Sequence, residues 1–299
     1  MFSSTRIAYV VLMMSSLHVY ICYTYNNICK HPKQSRERPK AGREIMRCKD
    51  QPVAEGHFMT QLIDLQCVDG GTAQAPVLDV ADVVALEQRI AQDGTSLLEL
   101  MTCAGTSLAR AVEAHAVPDA AVVVLVGSGN NGGDGWVAAR ALAAAGRNVT
   151  LVSKTVPEEL TAEPARTAAL ESASTGSFDL AIAPSDAELA WLLDNADVIV
   201  DAILGTGFAH DQVREPYATW IRLANEAHRK HGTRIVAADC PSGLNAQTGA
   251  TASDCVMADE TVTMIVPKTG LLESQARPYV GTLLLAPLIS IEEYFDDLL

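Results

Sequence analysis

The chain has 299 residues, 48% hydrophobic and 5% aromatic, with a formal net charge of -14 at neutral pH. That is apolar material for one sizeable core or two small ones. So acidic a surface repels nucleic-acid phosphates, which excludes non-specific nucleic-acid binding but leaves room for a nucleotide held by backbone N–H groups.

The first 49 residues hold nine Lys or Arg against two acids, so the remainder carries about -21. Residues 7–23 are largely apolar, interrupted by Ser15, Ser16 and His18, and fall short of the roughly 20 residues a spanning helix needs. Arg6 before them resembles a signal-peptide n-region, but no small-x-small cleavage pattern comes after it. Residues 30–49 are basic, contain proline and lack periodicity, the composition of a linker or disordered segment. A membrane anchor, a targeting segment and a later start at Met46 or Met59 all fit. The loss of basic character near Met59 favours the last, and the residues beyond Met59 read as a cytoplasmic enzyme. The expected division is an extension over 1–75 and one globular domain over 76–299. The seven cysteines form no CxxC pair and no histidine stands at zinc-ligand spacing. That pattern predicts no structural metal site and a reducing compartment, with Cys240 and Cys255 as small buried residues.

Residues 79–116 carry apolar side chains at three- and four-residue steps, broken at 93–96, which predicts two helices with Ser96 capping the second. The run 121–126 is apolar and β-branched, the pattern of a strand buried on both faces. A glycine-rich turn over 127–135, a helix over 136–145 and a strand over 148–152 complete a βαβ unit. Further helices are predicted over 164–172, 186–195 and 217–231, and strands over 198–200, 234–238, 260–264 and 281–285. The alternation predicts an α/β, Rossmann-like, doubly wound and mostly parallel sheet with helices on both faces.

Ligands of such sheets bind beyond the carboxyl ends of the strands, and three of those ends are unusual. Gly127-Ser-Gly-Asn-Asn-Gly-Gly-Asp-Gly135 has five glycines in nine residues, which allow close backbone approach, positive φ and an anion nest at a helix N-terminus. It matches GxGxxG only formally and lacks the Gly-Lys-Ser/Thr of a P-loop. A tight turn with Asp134 as helix cap is the plainer alternative. Asp201-Ala-Ile-Leu-Gly-Thr-Gly207 puts a carboxylate at the end of a buried strand, where it needs a partner; an ordinary Asx turn would also place it there. Asp239-Cys-Pro-Ser-Gly-Leu-Asn245 does the same, with Pro241 and Gly243 shaping a turn. Asn131, Asp201, Asp239 and Ser242 together offer oxygen ligands to a hard cation.

These segments, with Thr261-Val-Thr-Met264, Pro267-Lys-Thr-Gly270 and Leu100-Met-Thr-Cys-Ala-Gly105, resemble the NAD(P)H-hydrate epimerase (YjeF N-terminal) family in order and spacing over about residues 79–286. The resemblance implies interconversion of the R and S forms of hydrated NADH or NADPH, feeding a separate S-specific dehydratase. It also implies a homodimer and one potassium ion per subunit, held by Asn131, Asp201 and Ser242. The hydrated nucleotide would contact Asn130, Asn131, Gly132, Gly133 and Asp134, then Gly205, Thr206, Gly207, Phe208, Ala209, His210 and Asp211, and finally Asp239. Epimerisation breaks and re-forms a C–O bond, or opens and recloses the ring; either needs a proton carrier, and Asp239 is the expected acid/base residue. Lys268 is expected to neutralise phosphate or raise the local potential, or else to be a plain surface lysine. Thr102-Cys103 stands where the family often has Glu-Asn, and Ser128 where it often has Pro. A non-enzymatic dimerising scaffold of the same fold is the alternative, disfavoured by three retained carboxylates. A dinucleotide oxidoreductase expects an acid closing the next strand, where this chain has Lys154-Thr-Val-Pro157.

Overall fold

The computed structural model describes residues 46–47, 64–68, 75–290 and 294. The apolar stretch at 7–23, most of the basic segment at 30–49, and Met59 lie outside them. In chain order the elements are β1 (Met46–Arg47), β2 (Gln66–Cys67), α1 (Val80–Gln92), α2 (Leu97–Glu113), β3 (Ala121–Val126), α3 (Asn130–Ala144) and β4 (Asn148–Ser153). Next come α4 (Ala165–Thr175), β5 (Asp179–Ile182), α5 (Asp186–Asp194), β6 (Val198–Ala202), α6 (Tyr217–His231), β7 (Arg234–Ala238), β8 (Glu260–Met264), α7 (Arg277–Val280) and β9 (Thr282–Ala286). Among the described residues no helix is long and apolar enough to cross a membrane.

The strands form one sheet in the order β1-β5-β4-β3-β6-β7-β8-β9-β2. All pairings from β5 to β9 are parallel. From β3 the chain winds outward through β4 and β5, then returns to the other side of β3 and winds outward through β6 to β9. That reversal makes the gap between β3 and β6 a topological switch point, where open α/β sheets bind ligands. Side chains alternate across the sheet. Val122, Val124 and Val126 share a core with α1, α2 and α3, whereas Val123 and Leu125 share one with α5 and α6 on the other face. Helices therefore cover both faces, as the alternation requires.

Helix ends obey their sequence signals. Ser96 accepts from the Glu99 N–H while Glu99 accepts from the Ser96 N–H, a capping box that starts α2. Ser185 and Glu188 do the same for α5. Three features differ from the sequence expectation. β5 joins the sheet although residues 179–182 carry no long apolar run. The sheet also extends upstream of residue 76, through β1 paired antiparallel with β5 and β2 paired antiparallel with β9. Finally, α3 begins at Asn130 rather than at Trp136, so most of the glycine-rich segment is helix.

Candidate active site

The β3–α3 turn comprises Gly127, Ser128 and Gly129, and its glycines serve packing rather than positive φ, since none of those at 127–135 is left-handed. A Cβ on Gly127 would lie 1.9 Å from the Ile203 carbonyl oxygen, and one on Gly132 2.1 Å from that of Gly127. Gly133 sits under Met101, and Gly135 against Val126 and Ala202. The absence of side chains lets α3 start directly at the switch point and aim its first, unpaired N–H groups at the crevice. Asp134 is consequently a residue of the helix and not its cap, a position held by Gly129. The Ser128 hydroxyl hydrogen-bonds Tyr217 at the start of α6.

Asp201, inside β6 and 1% exposed, is held chiefly by Ser242, with the Ile203 N–H also donating to Oδ1 at 3.3 Å. The Ser242 N–H donates to Oδ2 at 2.7 Å and the Ser242 hydroxyl to Oδ1 at 2.6 Å. Burial pushes the carboxyl up to about 6 against the opposing pull of those Ser242 bonds. The Ser242 oxygen also accepts from the Leu204 N–H at 2.8 Å, which ties the β6 loop to the turn after β7. Next along that loop is Gly205, where a Cβ would meet the Asn131 amide at 3.1–3.3 Å. Both Asn131 side-chain polar atoms are buried and lack a hydrogen-bond partner. The β6 loop thus links Ser242, through Leu204, with Asn131, through Gly205, and the Asn131 amide is a buried polar group that the protein itself does not satisfy.

Asp239 comes directly after β7 in a left-handed conformation, φ 60°. Its N–H donates to the Val262 carbonyl at 2.7 Å, and its Oδ1 accepts from the Met264 N–H at 3.2 Å and from Lys268 Nζ at 2.5 Å. Lys268 is buried, 1% exposed. Its other two protons go to Thr263 Oγ1 at 3.1 Å and the Met264 carbonyl at 2.7 Å. An ammonium has three donors, and all three are spent internally. This corrects two expectations for Lys268: it is no surface lysine, and it has nothing to offer a phosphate; its charge still acts on the carboxyls around it. It anchors Asp239 instead. Ile265, one residue beyond β8, also has positive φ, 65°, an outlier for a β-branched residue and costly by about 1–3 kcal/mol. Two strained residues therefore flank one crevice.

That crevice is a cavity of about 680 Å³, a volume typical of small-molecule sites. Asn130, Asn131 and Asp134 line it from α3, and Asp239 and Ile265 from the strand ends. From the β6 loop come Gly205, Thr206, Gly207, Phe208 and His210. Asp201 and Ser242 lie beneath this lining, fully buried. Gly132 and Gly133 are packed away inside α3, and Ala209 and Asp211 are exposed off the cavity wall. Thr102 bonds back to the Leu98 carbonyl and Cys103 is buried in the core, so neither lines the cavity. β4 ends at Ser153, whose hydroxyl caps the Thr155 carbonyl; no acid closes that strand.

One lining residue gave no motif in the sequence. Glu87 sits on α1 between Val83 and Ile90, both buried. A carboxylate on the apolar stripe of an amphipathic helix was the available signal. Burial and the neighbouring Asp239 charge raise its carboxyl above the usual range. Asp134 is raised further, by burial first and then by Asp239 and Glu87. Among the described residues no group of three or more His, Cys, Asp or Glu side chains could hold a metal ion, so any cation here would rest on Asn and Ser oxygens as well as Asp.

Residues 97–270 match the family model described as YjeF-related protein N-terminus. The chain is 38% identical over 196 residues to the NAD(P)H-hydrate epimerase of Pirellula staleyi, covering 65% of this chain and 84% of that protein. It is 36% identical to the NAD(P)H-hydrate epimerase of Limosilactobacillus fermentum, covering 66% and 88%. It is 41% identical to the bifunctional NAD(P)H-hydrate repair enzyme Nnr of Hyperthermus butylicus, covering 64% of this chain but only 34% of that protein. The chain thus spans about a third of the length of the bifunctional relatives it matches. A crystal structure of yeast ynu0 shares the fold, with a TM-score of 0.55 and 23% identity, over 65% of this chain and 82% of that one.

Proposed function

The chain belongs to the YjeF-related protein N-terminus family, and from that premise we propose that it is an NAD(P)H-hydrate epimerase, an isomerase that interconverts the R and S forms of hydrated NADH and NADPH. The observation that carries the reading is one cavity at the switch point, onto which the start of α3, the orphaned Asn131 amide and the anchored Asp239 carboxylate all open. The N–H groups at the start of α3 suit the substrate's phosphates. The loop residues Gly205 to Phe208, with His210, suit its remaining surface. Asp239 accepts and returns the proton that epimerisation moves, held in place by Lys268 and the Met264 N–H.

The residues also fit potassium. Asn131 Oδ1 has no partner, Asp201 is a buried carboxylate, and Ser242 adds oxygen, a donor set that suits a hard cation. Bound there, the ion would supply fixed positive charge beside Asp201 and rigidify the β6 loop. The S epimer would pass to a separate S-specific dehydratase. We further infer a homodimer, as the family resemblance implies, and separately a cytoplasmic setting, for which the buried free thiols Cys103, Cys240 and Cys255 speak.

The test supplies R-NADHX to the full-length chain with excess S-specific dehydratase and potassium chloride. Consumption of the R form faster than in the protein-free control, lost in Asp239→Asn, is expected. Retained activity in Asp239→Asn would remove Asp239 from its role. A folded wild type that accelerates nothing would return the chain to the scaffold reading.

A further inference from the structure

We propose that Asp134 is a second catalytic acid, which gives its proton to the departing hydroxyl, and that Glu87, on the same cavity, is a positioning residue for it. The proposal rests on the epimerase reading above and adds two residues to its chemistry.

Asp134 projects from the second turn of α3, lines the cavity and is 9% exposed. Its carboxyl has no hydrogen-bond partner among the described residues. Two other acids at the site have donors: buried Asp201 has Ser242 and the Ile203 N–H, and half-buried Asp239 has Lys268 and the Met264 N–H. An ionised carboxylate stripped of water and of donors is expensive, so a group in this position keeps its proton. Its charged neighbours act in the same direction on balance. Glu87 and Asp239 both disfavour a further negative charge, while Lys268, spent on Asp239, opposes them weakly. Asn131, three residues earlier on α3, and Glu87 line the same cavity, so Asp134 faces the space a substrate would fill.

A carboxyl group held by donors and one without any, on the same cavity, form an acid/base pair. Asp239 is the member bonded to the Lys268 ammonium and the Met264 N–H; Asp134 is the one without donors, facing the ligand space. Asp134 gives its proton to the hydroxyl on the hydrated ring carbon. The C–O bond breaks, its electron pair leaves with the oxygen as water, and the lone pair of the adjacent ring nitrogen forms a C=N bond to that carbon. Water, oriented by the Asp239 carboxylate, adds to the other face, and the C=N pair returns to nitrogen. Its surplus proton passes to Asp239 and back to Asp134. One water leaves and one enters, and nothing is oxidised.

The experiment is the pH dependence of kcat/KM for R-NADHX epimerisation by the full-length wild type, Asp134→Asn and Glu87→Gln. Wild type should lose activity at high pH as Asp134 ionises. Asp134→Asn should fall by about 10²-fold or more and lose that basic limb. Glu87→Gln removes a charge that holds the proton on Asp134, so its basic limb should move to lower pH, leaving a small deficit at pH 6 and a large one at pH 8. A purely structural Glu87 would give the same deficit at both. Wild-type rates in Asp134→Asn, or an unmoved limb in Glu87→Gln, overturn the proposal while leaving the epimerase standing; an inactive wild type overturns both. Should Asp134→Asn fail to fold, carboxyl ¹³C NMR of the wild type decides. An Asp134 signal that is still protonated at pH 7 supports the proposal, and one already ionised at pH 6 overturns it.

Discussion

Asp239 and Lys268 form the most consequential contact in the molecule, because a buried ammonium without its carboxylate is far costlier than an exposed one. Lys268→Met should therefore lower activity without touching substrate, by freeing Asp239 to rotate. Substituting Asp239→Asn alone strands the lysine charge and should cost about 3–5 kcal/mol of stability. Urea unfolding should show the double variant Asp239→Asn, Lys268→Met to be more stable than Asp239→Asn. Equal stability of the two would mean that the lysine proton is not held as a charge. Asp201 gives a pH signature. Its carboxyl is raised from 3.8 to about 6 by burial. Between those values the folded chain keeps a proton that the unfolded chain has released, so this contribution to stability is full below about pH 4 and lost as pH rises through 6. The loss is about 3 kcal/mol. In potassium-free buffer the stability gap between wild type and Asp201→Asn should shift by that amount in favour of the variant from pH 4 to pH 7. A gap independent of pH would show that Asp201 ionises as freely folded as unfolded.

At the scale of elements, α3 and its turn decide whether the site exists. A methyl on Gly132 must displace the Gly127 backbone, whereas one on Gly129 meets nothing within 4 Å. Gly132→Ala should therefore destabilise by about 3 kcal/mol or more, and Gly129→Ala by a few tenths. Thermal melts of the pair check this, and equal melting temperatures would refute the packing role. The same element marks how far the sequence could be read. Strands such as β3, β7 and β8 were legible because parallel strands buried on both faces are continuous apolar runs. The capping boxes gave α2 its start at once, Ser96 being the expected cap. α3 was misjudged because glycine is a poor helix former, and its first six residues include three; only the tertiary fit against the Gly127 backbone, Met101 and Ala202 makes them helical. β5 has four residues and borrows its stability from β4. β1 and β2, two residues each, have no local signal, since partners more than 130 residues away create them. The three strand-end motifs did point to one rim. What they hid was depth: that Asp201 and Ser242 lie below the cavity, that Ala209 and Asp211 lie off it, and that Lys268 faces inward.

At the scale of the whole molecule, the doubly wound order matters because it places α3, the β6 loop and the β7 turn around a single crevice. A cation shared by Asn131, Asp201 and Ser242 would cross-link those three segments. Adding potassium should raise the unfolding free energy, by about 2.7 kcal/mol at a hundredfold excess over Kd. Choline at equal ionic strength should not, and Asn131→Ala should abolish the effect. Identical melting in potassium and choline would remove the ion from the site. The central claim is epimerisation itself. Its most direct measurement starts from pure R-NADHX and, separately, pure S-NADHX, each with the full-length chain and potassium, and tracks both by chiral chromatography without any dehydratase. Both samples should converge on one R-to-S ratio at a rate proportional to protein concentration. Two samples that keep their starting epimer for as long as the protein-free control would contradict it.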